Sequence, residues 1–91
     1  MKVIWTRHAK ERQKEWERIM GISCEQVENT LKNPEQIVAG YRDALVAQTR
    51  WKDGLLRVPF VETEEGRKIV SIYWTSKVEK YWEVRKSAGS I

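Results

Sequence analysis

Residues 44–62, ALVAQTRWKDGLLRVPFVE, hold two alternating apolar and polar runs around the pair Asp53-Gly54. Alternation with a period of two puts one set of side chains on each face of a pleated strand, and an Asp-Gly pair between two such runs signals a tight turn. The stretch therefore predicts a β-hairpin with Ala44 to Trp51 and Leu55 to Glu62 as its strands. A third run, Lys68 to Thr75, follows a looser turn over Glu62 to Gly66, so three consecutive strands are expected to form an antiparallel meander. Pro59 has no N–H to give to a neighbouring strand, which predicts a bulge or a break there.

Upstream of the meander, the alternation begins after Pro34, with Ile37 and Val38 leading to Tyr41. Before Pro34 the period is helical. Ser23 with Gln26 forms a capping box, Ile22 can staple onto Val27, and Pro34 stops the helix near Asn33, so residues 24–33 are a helix burying Cys24, Val27 and Leu31. A longer helix runs from Arg7 to Met20 behind Thr6 as its cap, with Ala9, Trp16, Ile19 and Met20 on one side. Arg12 falls within that apolar arc and His8 at its edge. Residues 2–5, KVIW, precede it as a short strand, and KVEKYWEVRK, residues 77–86, ends the domain as a short helix laying Val78, Tyr81 and Trp82 on the body.

The resulting order is strand, helix, helix, strand, strand, strand. It predicts one α+β domain over residues 1–86 with a flexible tail at 87–91. Its two N-terminal helices pack on one face of a small, mainly antiparallel four-stranded sheet and leave the other face free. Ninety-one residues support one core of this kind, which draws on five tryptophans. No apolar run approaches the ~20 residues needed to cross a bilayer, the N-terminus lacks a secretory signal, and a lone Cys24 cannot form an internal disulfide. A cytoplasmic protein is expected, with no membrane among its partners.

The formal net charge is +4, and it is unevenly spread. Lys2, Arg7, Lys10, Arg12, Lys14 and Arg18 crowd the first twenty residues, and Arg67, Lys68, Lys77, Lys80, Arg85 and Lys86 crowd the last 26, while Glu25, Glu28, Glu35, Glu62, Glu64 and Glu65 lie between. If the two ends meet, they make one basic face suited to a polyanion.

The stretches TRHAKER, GISCEQVENTLKNPEQIV and LLRVPFVETEEGRKIVSIYWTSKVEKYW resemble the domain-of-unknown-function family numbered 4258. The likeness is carried by His8 with Arg12, Gly21-Ile22-Ser23, Asn33-Pro34, and Tyr73 through Tyr81. Two features depart from that pattern: a first helix about one turn longer before Gly21, and Gln13 where the family often has an apolar residue. At the level of element order the chain is also similar to the RelE, ParE and BrnT toxins of bacterial toxin-antitoxin systems. That similarity implies RNA or the ribosome as a target, a cognate antitoxin as a partner, and a site on the open sheet face near the last strand.

Metal-independent RNA cleavage needs a base for the 2′-hydroxyl, cations for the phosphate and an acid for the leaving oxygen. The candidate catalytic residues are His8, Arg12, Tyr73 and Lys77. Arg57, Lys68 and Lys80 are candidates for holding RNA phosphates, with Tyr81 and Trp82 as stacking surfaces for unpaired bases. His8 and Arg12 also fit a plainer role, a brace at the start of the first helix, which solvent access distinguishes from a site. One histidine and one cysteine on separate helices cannot make a zinc site, and the acidic turn has no ligand spacing, so neither a metal nor another cofactor is expected. The alternative to an endoribonuclease is a non-catalytic protein-interaction module, including a homodimer.

Overall fold

The computed structural model describes residues 1–84. Its elements are β1 (Val3–Ile4), α1 (Arg7–Met20), α2 (Cys24–Lys32), β2 (Gln36–Ala39), β3 (Leu45–Trp51), β4 (Gly54–Thr63), β5 (Gly66–Ile69), β6 (Tyr73–Thr75) and α3 (Val78–Tyr81). The α+β class is as expected, but the sheet has six strands rather than four and is mixed. Strands run in the order β1-β5-β4-β3-β2, with β6 also on β4, and β1 lies parallel to β5 while every other pair is antiparallel. The expected tail, residues 87–91, lies outside the described residues.

The extra strands have local causes. Gly40 donates to the Ala44 carbonyl at 2.9 Å across a tight turn, which makes Gln36–Ala39 a strand of its own paired to β3. The single strand expected from Lys68 to Thr75 is divided into β5 and β6 opposite Pro59. There the Val70 and Ser71 N–H groups both donate to the Pro59 carbonyl, at 2.8 and 3.4 Å, and three residues between β5 and β6 oppose two on β4. Two donors converging on one carbonyl are the mark of a bulge. Pro59 itself stays in register with Val46, and β4 is unbroken, because the proline turns its polar edge toward the bulge and away from β3.

Two helices lie on one face of this sheet, and the core joins Ala9, Ile22, Val27 and Leu31 to Ala47, Leu56, Val58, Phe60, Ile69 and Ile72. Both expected N-caps form: Thr6 accepts from the Ala9 N–H at 3.1 Å, and Ser23 and Gln26 exchange reciprocal bonds at 3.0 and 3.1 Å. Gly21, at φ 74°, ends α1 in the left-handed conformation, with its own N–H and that of Ile22 returning to the Glu17 and Trp16 carbonyls. The buried side of α1 is rotated from the expected arc. It consists of Ala9 and Gln13, flanked by half-buried Trp16 and Met20, whereas Ile19 is 56% exposed. Gln13 earns its buried place by donating to the Ile22 carbonyl at 2.9 Å, fixing the link between the helices. In α2 the buried residues are Val27, Thr30 and Leu31, and Cys24 is only half-buried.

Two further expectations change. The C-terminal helix is a single turn, Val78–Tyr81, with Trp82 already extended, although Val78, Tyr81 and Trp82 do settle half-buried on the body. The hairpin turn is centred on Lys52 and Asp53, both at positive φ (46° and 57°), and Gly54 is the first residue of β4 opposite Trp51. Glycine is required at 54 for space: a Cβ there would sit 2.3 Å from the Thr75 carbonyl oxygen and 2.5 Å from the Trp74 ring. Gly54→Ala is therefore expected to lower stability by about 1–3 kcal/mol through overpacking. Asp53→Gly, which relieves a left-handed non-glycine residue, is expected to raise it by up to about 1 kcal/mol. Urea unfolding of the two variants checks both; equal losses would place the turn elsewhere.

Candidate functional site

The register assigns each strand residue to a face. Leu56, Val58 and Phe60 of β4 point to the helices, so Leu55, Arg57 and Pro59 point away, together with their partners Arg50, Gln48 and Val46 on β3 and Tyr73 on β6. This second face is not wholly free. Residues from α3 to Glu83 lie across part of it, held by side-chain bonds. The buried Gln48 amide donates to the Tyr81 carbonyl at 3.0 Å and to Gln36 Oε1 at 2.8 Å. Gln36 in turn donates to the Glu83 carbonyl at 2.6 Å and accepts from the Glu83 N–H at 3.1 Å, so its side chain pairs with one residue of backbone as a strand would.

At the centre of this network lies Arg57, 6% exposed. Its Nε donates to Gln48 Oε1 at 2.8 Å, its Nη1 donates to the Tyr73 hydroxyl, and its guanidinium lies 4.0 Å from the Tyr81 ring centroid and 5.5 Å from that of Tyr73. The two tyrosine rings meet edge to face at 6.5 Å. Among the described residues no carboxylate pairs with Arg57, and Nη2 has no partner. Burying a cation is costly unless its charge is answered, and here the answer comes from a neutral amide, a phenol and two π faces. Such a guanidinium is ready to receive an anion on its open fork.

Arg57 opens into a hollow of about 460 Å³ lined chiefly by Tyr41, Val46, Pro59, Val70, Tyr73 and Tyr81. A larger concavity, about 810 Å³, lies between α2 and the end of β3; there Ser23 and Gln26 bond each other and Thr30 bonds the Gln26 carbonyl, while Glu25 and Arg50 also line it. Convergent polar groups on an apolar wall distinguish the Arg57 hollow.

The candidate residues fall into two groups. Arg57, Tyr73 and Tyr81 meet in the hollow, Lys80 lies 5.2 Å from the Tyr81 ring, and Trp82 stacks on Arg50 at 4.4 Å. Lys68 extends from β5 on this same face, beside Val61, and Lys77 is exposed just before α3. His8 and Arg12 stand apart, in the helix layer on the opposite side of the sheet. His8 is exposed in the first turn of α1, and Arg12 pairs with Glu15 at 3.3 Å. For the same reason the basic residues of the two chain ends do not sum into one face: β1 joins β5, but α1 carries the N-terminal cations to the far side. Gln48 and Gln36 escaped notice in the sequence, where a glutamine in a strand reads as solvated surface, and Tyr41 was read only as the end of an alternating run.

The family model described as Domain of unknown function (DUF4258) matches residues 5–74. The chain belongs to this family. Neither the curated proteins nor the solved structures contain a match to it. The DUF4258 match takes in β2 to β5, most of β6, and therefore Arg57 and Tyr73, and ends before the Tyr81 that completes the hollow. Among the described residues of this DUF4258 chain, His, Cys, Asp and Glu form no group of three or more able to hold a metal ion, and no helix is long and apolar enough to cross a membrane.

Gln48→Leu keeps the volume but strips Arg57 Nε and the Tyr81 carbonyl of their partner, with an expected cost of about 1–3 kcal/mol. It also loosens the segment over the face. Urea unfolding and the rate of tryptic cleavage after Lys80 in the folded protein measure the two effects, and both are expected to change together.

Proposed function

We propose that this protein is a small cytosolic, toxin-like RNA-binding protein, resembling the RelE and BrnT endoribonucleases, whose site is the Arg57 face of the sheet. The observation that carries this reading is the gathering of cations against aromatic rings around Arg57: Arg57 on Tyr73 and Tyr81, Lys80 on Tyr81 and Arg50 on Trp82. All four ion pairs among the described residues, Arg7–Glu11, Arg12–Glu15, Lys32–Glu28 and Arg67–Glu62, belong to the helices or to helix-facing strand positions. Lys10, Lys14 and Arg18 of α1 are outside those pairs, as are Arg50, Arg57, Lys68 and Lys80 on the opposite side, which face solvent or the hollow without an acidic partner among the described residues. An uncompensated row of cations interleaved with Tyr73, Tyr81 and Trp82 suits a single-stranded polyanion, with phosphates on the cations and bases on the rings.

In this reading Arg57 grips the scissile phosphodiester and stabilises the charge that builds on it as the 2′-oxygen attacks. As the 2′-oxygen bonds to phosphorus and the bond to the 5′-oxygen breaks, the Tyr73 hydroxyl, bonded to the same guanidinium, gives its proton to the departing 5′-oxygen while solvent takes the 2′-hydroxyl proton. Lys80 and Lys68 hold flanking phosphates. His8 and Arg12, on the other side of the sheet, serve as the polar start of α1 and not as catalytic groups.

A second reading, a protein-interaction module for an antitoxin or a second copy, is favoured by the exposed side chains of Tyr41 and Val70 beside the hollow. The two readings part on one experiment: expression of the intact chain and its variants in bacteria, with growth and total RNA followed. Growth arrest with RNA loss is expected for the intact chain and for His8→Ala, and a fall of at least about tenfold in cleavage rate is expected for Tyr73→Phe and Arg57→Lys. Intact RNA throughout removes the endoribonuclease. Arrest abolished by His8→Ala, in a variant that still folds, moves the chemistry to the helix layer.

A further inference from the structure

We infer that Tyr41 is a stacking platform for one unpaired base, so that the Arg57 face selects single-stranded over paired nucleic acid. The inference rests on the reading of that face as an RNA site and adds to it the residue that reads the state of the base. Tyr41 stands at the rim of the hollow that Arg57 opens into, and it is 80% exposed. Its fold gains nothing from that exposure, since an aromatic ring contributes to stability chiefly by being buried.

Its backbone is nevertheless held. Gly40 N–H donates to the Ala44 carbonyl at 2.9 Å and Ala44 N–H to the Tyr41 carbonyl at 3.2 Å, which closes the turn on both sides of the residue. Arg42, in the left-handed conformation at φ 58°, brings its guanidinium to 5.2 Å from the Tyr41 ring centroid. A ring fixed at its base, 80% exposed and with a cation over one face has the parts needed to hold a base on its other face and the phosphate beside it. Val70, 43% exposed on the bulge across the hollow, supplies an apolar wall. A nucleotide with its phosphate on Arg57 can lay its base on Tyr41 only if that base is not stacked in a helix, because in a duplex both of its faces are already covered.

Tyr41 lies on the surface, so its substitution leaves the core untouched. The test compares the full chain and its Tyr41→Ala and Tyr41→Trp variants by fluorescence anisotropy. The probes are a labelled eight-nucleotide single-stranded RNA, the same RNA as a duplex, and inorganic polyphosphate as an unlabelled competitor that has charge but no bases. The intact chain is expected to prefer the single strand, Tyr41→Ala to weaken that binding roughly tenfold with competition by polyphosphate unchanged, and Tyr41→Trp to restore it. Equal single-strand affinity in the intact chain and Tyr41→Ala overturns the inference; if Arg57→Lys still weakens binding, the RNA reading survives without it. Absence of binding to both RNA and polyphosphate overturns the inference together with the reading it rests on.

Discussion

The fold is organised around β4, a ten-residue strand with one proline near its middle. On one side it bonds to β3 along most of its length, and on the other it carries β6 near its start and β5 near its end. Pro59 cannot donate on that second side, and the chain answers with the bulge at Val70 and Ser71. The bulge allows Ile69 and Ile72 both to enter the core while Val70 remains outside at the edge of the hollow. A missing hydrogen thus shapes the rim of the candidate site.

The same constraint marks the limit of what the residues reveal before folding. Helix boundaries were legible because their signals are local: Thr6, the Ser23 and Gln26 pair, and Pro34 act within one turn of themselves. The meander was legible in outline, since the Asp53-Gly54 turn and the apolar runs on either side of it lie close together in the sequence. The strand count was not. Alternation does not register that residues 70–72 oppose only two positions on β4, nor that Val3 and Ile4 reach across to pair with Arg67 and Lys68. The exchange of Ile19 for Gln13 on the buried side of α1 was equally hidden, because a buried glutamine depends on a carbonyl nine residues away.

For the site, the residue types were legible and their grouping was not. Arg57, Tyr73 and Tyr81 come from β4, β6 and α3, and only the register of β4 with β6 and the seat of Tyr81 on Gln48 unite them. His8 and Arg12 drew attention because they are close in sequence, but the sheet lies between them and the hollow. Gln48 has the opposite character. It is unremarkable in the chain and central in the fold, since one amide orients the buried guanidinium with its oxygen and holds the covering segment with its nitrogen. Position of the segment and direction of the cation are therefore linked through a single side chain.

The parallel pairing of β1 with β5 has a consequence in time. Val3 and Ile4 are synthesised before the other described strands, yet their partners, Arg67 and Lys68, follow more than sixty residues later. The hairpins β2–β3 and β3–β4 close over short loops, and β5 reaches β4 through the turn after Thr63, so these can assemble while β1 waits. Docking β1 closes the longest loop in the sheet and brings Thr6 to the Ile69 carbonyl at 3.1 Å. β1 thus completes the sheet, and α1 takes its final seat only after β5 has been made.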